Sequence, residues 1–154
     1  MFAYKDHRFG CLSRAAAVLL HNYDHLPSFL EENPSINNKL ACGVHELLNL
    51  PYLKVIFCAY AALGIQLIEP FYSSTIQKDS THSSLSVFYK NLYNSLATQN
   101  FNADFLTFNQ PAFPGVSRNL LIGVKKSYGT TVIQSVINVT QEYEDDILLL
   151  LNYI

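Results

Sequence analysis

The chain has 154 residues, of which 49% are hydrophobic and 14% charged, with a formal net charge of −2. A charge fraction well under the roughly 25% of an average soluble domain leaves little material for a solvated surface, so some faces are expected to lie against a partner. Near-neutrality excludes a global field for nucleic acid or anionic lipid. Three widely spaced cysteines, Cys11, Cys42 and Cys58, exclude a disulfide framework and fit a reducing compartment.

The length suits one domain over 1–154, able to bury about two-thirds of its unfolded surface. Lys5, Asp6, His7 and Arg8 stand where a secretion signal needs an apolar run. An intracellular location, cytoplasmic or nuclear, is therefore expected. The sequon Asn138-Val139-Thr140 is then expected to go unused.

In chain order, Leu12, Ala15, Ala16, Leu19, Leu20 and Tyr23 repeat at helical spacing and predict a helix over about 12–22, with Ser13 as a possible N-cap. Asp24 is expected to cap a short second helix, with Pro27 in its first turn and Phe29 and Leu30 facing inward. Asn33-Pro34 ends it, because a residue before proline avoids the α region. Ser35 can cap the next helix, whose stripe is Ile36, Leu40, Val44, Leu47 and Leu48.

The stretch Pro51–Pro70 is the centre of the chain. Val55–Ile65 carries no charge and is apolar on every side of a helix, which belongs inside a core or a membrane. Its uncharged centre is short against the about 20 residues of a span, so a core helix over about 52–68 is expected and a membrane role is the lesser alternative. Gly64 inside it costs about 1 kcal/mol relative to Ala and calls for a helix crossing close by.

Phe71–Ser84, rich in Ser and Thr, reads as an exposed loop. Leu85, Phe88, Tyr89, Leu92, Tyr93 and Leu96 form the cleanest helical stripe. Over 98–116, Phe101, Phe105, Phe108 and Phe113 follow no period and Pro111, Pro114 and Gly115 interrupt the chain. Exposed rings would each cost about 1.5–3 kcal/mol, so this loop either folds back on the helices or docks a partner. Phe105 and Phe108 are expected to pack near Phe88 and Leu92, with Phe113 and Pro114 as the candidate partner contact. Ser117 can cap a helix carrying Leu120, Leu121 and Val124, closed by Gly129. A single long helix is expected from Val132 to Leu151. The apolar end ILLLLNYI has no stop signal, so the chain reads as a piece of a larger protein. The expected fold is all-α: an irregular bundle of about six to seven helices around the central one.

Chemistry is sparse. His21 and His25 (i, i+4) together with Cys42 and His45 (i, i+3) form the best metal-ligand set, and a metal-dependent module or enzyme built on them is the alternative function. The bland reading, polar faces of amphipathic helices, is preferred. Glu31-Glu32 and Glu142/Glu144/Asp145/Asp146 read as solvated faces. Arg118 with Lys125-Lys126 is too small a patch to hold a phosphate backbone. No nucleotide, nucleophile-elbow or HExxH motif is present. No catalytic residue, cofactor or metal is expected.

Asp6-x-Arg8-Phe9-Gly10 followed by SRAAAVLLHNYDHLPSFLEE resembles a stretch of hAT-type transposases and their domesticated relatives. There an Arg-Trp dipeptide closes a strand of the ribonuclease-H-like core and leads into a helix; Phe9 stands at the Trp position. The resemblance covers residues 6–32. It implies that the region beyond is a helical insertion and that the family's catalytic acids lie outside this chain. The expected function is a non-catalytic helical scaffold or protein-interaction domain, for which the resemblance implies derivation from a transposase. Its expected partner is another protein or the rest of a parent chain.

Overall fold

A helix with small apolar residues on several sides lets several neighbours close upon it, and α4 (Leu53–Leu63) is that helix here. In the computed structural model, which describes residues 11–33, 39–50, 52–75, 82–98, 101–109, 111–112 and 116–153, three helices pack on α4. They are α1 (Cys11–His21), α9 (Thr130–Glu142) and α10 (Glu144–Tyr153). Val55, Cys58, Ala59, Ala61 and Ala62 are buried between them, and Phe57 and Leu63 pack against that core. The described residues contain helices and no strand, the all-α bundle expected from periodicity.

The central helix does not stop before Pro70. It passes through a π-helical turn, Gly64–Ile68, into α5 (Glu69–Thr75). A proline has no N–H for the carbonyl four residues back, and its ring collides with it. The wider turn removes the conflict: the Glu69 N–H reaches the Gly64 carbonyl. Phe71–Thr75, expected as loop, is therefore helix, and α6 (His82–Thr98) already begins within the rest of that stretch. Ser74 Oγ donates to the Pro70 carbonyl at 2.8 Å, the back-bond that lets serine sit in a helix.

Gly64 is where α1 crosses. A Cβ at this position would overlap Ser13 Cβ and Oγ and stand 2.7 Å from the Tyr128 hydroxyl. Ser13 is accordingly no cap. It is buried inside α1, and its hydroxyl lies 3.3 Å from that of Tyr128. Beside it, Arg14 holds the buried Glu69 through two bonds, Nε to Oε1 at 2.6 Å and Nη2 to Oε2 at 3.0 Å. Arg14 also lies over the Tyr128 ring at 5.1 Å.

The N-terminal periphery departs from the stripe pattern. Tyr23–His25 is one 3-10 turn, and Asp24 caps nothing; it pairs with Lys54 at 2.8 Å. In α2 (Leu26–Glu32) no residue is buried: Phe29 is exposed and Leu30 half-buried. In α3 (Lys39–Leu48) Val44 and Leu47 are exposed and Leu48 is buried. These helices pack on each other and on the 3-10 turn, so Phe29, Val44 and Leu47 stay out of the deep core. Tyr23 ties them in, its hydroxyl donating to the Leu48 carbonyl at 2.6 Å. The expected cap Ser35 and Ile36 lie outside the described residues.

The phenylalanine loop folds inward and contains a short helix, α7 (Ala103–Thr107), capped by Asn102, whose Oδ1 accepts from the Phe105 N–H at 3.2 Å. Phe105 and Phe108 are buried, as expected, but in the main core with Leu121, Val124, Ile133 and Ile147. Leu92 belongs to a separate small cluster around Val116. Phe108 closes α7 at φ 55°, a left-handed conformation costing about 1–2 kcal/mol, which burial of the ring offsets. Irregular backbone still needs partners. Gln66 Nε2 donates to the Phe105 carbonyl at 2.8 Å, Lys125 Nζ to that of Phe108 at 3.2 Å, and Asn152 both accepts from and donates to Phe101.

Ser117 caps α8 (Arg118–Tyr128), its Oγ accepting from the Leu120 N–H at 3.1 Å, and Gly129 ends it at φ 89°. The single helix expected over Val132–Leu151 is two, α9 and α10, broken at Tyr143. Glu144, Asp145 and Asp146 then occupy a first turn, where the helix dipole favours acids. The break lets Ile147 and Leu151 turn into the core. These splits divide the bundle more finely than the six to seven helices expected.

Candidate functional site

The histidine–cysteine set does not assemble. His21 Nδ1 lies 2.8 Å from Ser135 Oγ on α9. His25 is exposed at the end of the 3-10 turn, Cys42 is exposed, and His45 Nε2 stands 3.5 Å from Glu31 Oε1. Among the described residues no three His, Cys, Asp or Glu side chains come together to hold a metal. Phe113 and Pro114 lie outside the described residues.

Several buried polar groups pair with one another. Ser127 Oγ accepts from Arg14 at 3.1 Å, extending the Arg14–Glu69 pair, and Glu69 raises the Arg14 guanidinium further above its ordinary value. Burial pushes the Tyr128 phenol up to about 12 and the Cys58 thiol up to about 11, so both stay protonated at neutral pH. Neither is an activated base or nucleophile. Cys58 Sγ is 3.2 Å from Thr140 Oγ1, a contact that joins α4 to α9. Gln66 Oε1, in the π turn, is buried without a hydrogen-bond partner among the described residues.

What the surface offers is an apolar groove between α4 and α10. On α4 its wall is Tyr52, just before the helix, then Val55, Ile56, Ala59, Tyr60 and Leu63. On α10 the wall is Asp146, Leu149, Leu150 and Tyr153, spaced i, i+3, i+4, i+7 along one face. Two adjoining hollows of about 350 and 290 Å³ share Ile56 and Leu150. Tyr52, Leu149 and Tyr153 are 68, 66 and 88% exposed. The sequence makes this unavoidable. Ile147–Leu151 is five apolar residues in a row, at about 100° per residue, so once Ile147 and Leu151 face the core Leu149 must face out.

Among the described residues, Asp146 is the one charged side chain in the lining of the two hollows. Glu142, Glu144 and Asp145 are exposed beside it in sequence. The nearest cation along α4, Lys54, is engaged by Asp24 and lies over the Tyr23 ring at 5.0 Å. The groove is therefore apolar along its length, with the Asp146 carboxylate at one end.

Comparison with protein-family models, curated proteins and solved structures finds no match.

The groove was missed from sequence because the apolar surplus of α4 and α10 reads as core. The usable signal was the ILLLL run, which has more apolar directions than one core can take. The same surplus gives Leu53–Ser74 the length and composition to cross a membrane, its 22 residues exceeding the short uncharged centre. Within its most apolar window 56% is buried inside the protein. Its Glu69 is paired with Arg14 of α1, a partner that lipid would not supply.

Proposed function

We propose that this chain is a non-catalytic helical protein-interaction domain that docks a partner protein through the groove between α4 and α10. The observation that supports it is the exposed apolar lining of that groove, with Ile56, Tyr60, Leu149 and Tyr153 standing in solvent around two adjoining hollows. Clustered exposure of this kind marks interaction surfaces, whereas single exposed apolar residues are ordinary. The stretch resembling hAT-type transposases is scaffold in this reading: the described polar side chains of α1 go into packing contacts with α5, α8 and α9.

A photo-crosslinking amino acid placed at Leu149 in the full chain tests the reading in cells, with Gln141, exposed on α9, as the control position. Position 149 should capture a defined protein band that position 141 does not. Equal labelling from both positions, or none from 149, would sink the docking role.

A further inference from the structure

We propose that the occupant of the α4/α10 groove is an amphipathic helix of a partner protein, about three turns long, carrying basic residues at its end. This rests on the docking reading above and adds the shape and charge of what docks. Three observations carry it.

The first is the nature of the walls. Both are helices whose backbone groups are bonded along their own axes, and neither offers a strand edge. An extended peptide in an apolar groove would leave its own N–H and C=O groups without partners, whereas a helix brings its hydrogen bonds with it. The second is length. The α4 wall runs from Tyr52 to Leu63, which at 1.5 Å per residue is about 16 Å, or three helical turns. That span matches anchors at i, i+3 or i+4, and i+7 on the visiting helix.

The third is charge. Among the described residues the lining holds one charged side chain, Asp146, and no cation. A basic end on the visitor would meet the Asp146 carboxylate. A second copy of this chain would bring the same acidic face and no counter-charge. An anionic lipid surface would be repelled by it.

The test uses the full chain and designed probes: labelled helical peptides of about three turns with leucines on one face and lysines in both terminal turns, and a twin with glutamates replacing the lysines. Fluorescence anisotropy should show the lysine probe binding at least about tenfold tighter at low salt, with the margin shrinking as salt is added. Asp146→Lys should reverse the preference while the circular dichroism spectrum stays unchanged. Leu149→Lys should abolish binding of both probes.

Equal affinity for the two probes, lost in Leu149→Lys, overturns this inference and leaves the docking reading standing. So does tighter binding of a proline-rich probe. Failure of every peptide to bind overturns it, as does binding indifferent to Leu149→Lys. Leu149-dependent sedimentation with phosphatidylserine vesicles would assign the face to lipid. A Leu149-dependent dimer in analytical ultracentrifugation would assign it to a second copy. Either result overturns the proposal.

Discussion

Gly64→Ala is the substitution that most directly probes how the bundle closes. On an exposed helix it would stabilise by about 1 kcal/mol, because alanine is the better helix former. Here the added methyl overlaps Ser13 Cβ and Oγ and reaches 2.7 Å from the Tyr128 hydroxyl. Ser13 Cβ is anchored to the backbone of α1 and its side chain is buried, so relief requires α1 to shift as a unit. Overpacking of this kind costs about 1–3 kcal/mol, and a contact against an anchored atom belongs at the upper end. Displacing Ser13 also removes its bond to Tyr128, worth about 1 kcal/mol. After the propensity gain the net loss is about 3 kcal/mol. For a chain of this size that is a fall of about 6–12 °C in Tm. Urea unfolding followed by circular dichroism gives the number. The double variant Gly64→Ala with Ser13→Gly should recover stability beyond additivity, because it removes the atom the new methyl strikes. A Gly64→Ala protein as stable as the parent would refute the close crossing of α1.

Two further expectations follow from the core. The folded Tyr128 phenol is pushed up to about 12 from an ordinary 10.0, chiefly by burial, with its Ser13 bond acting against the shift. Between those values the unfolded chain has released the proton and the folded chain retains it, so stability present below pH 10 falls as pH rises toward 12, by about 3 kcal/mol. Cys58, pushed up from 9.0 to about 11, begins the same decline lower in the range. Urea midpoints of the parent and Tyr128→Phe should therefore diverge above about pH 10, the variant losing less; parallel slopes would contradict the buried phenol. Separately, Phe105→Ala should cost about 3–5 kcal/mol, because the ring lies in the main core. A denaturant midpoint within experimental error of the parent's would show that the loop does not fold back.

Periodicity alone determined that the chain is helical, and that Val55–Ile65 forms its centre, although Ile56 and Tyr60 of that stretch face the groove. Local chemistry also fixed several ends: Ser117 accepts from the N–H of Leu120, the third residue of α8, and Gly129 takes the positive φ that closes it. Gly64 announced a close crossing by being glycine where alanine would be better. The tertiary structure decided the rest. A Ser- and Thr-rich stretch became helix where α5 packs against α8, and a helix survived a proline through a π turn packed against α1 and α8. The acids Glu144–Asp146 looked like the solvent side of one helix and are the start of another. Which apolar face is left outside is not a local property. Period tells which residues share a face, but the neighbours decide how many faces are covered, and here α10 has one more than the core can take.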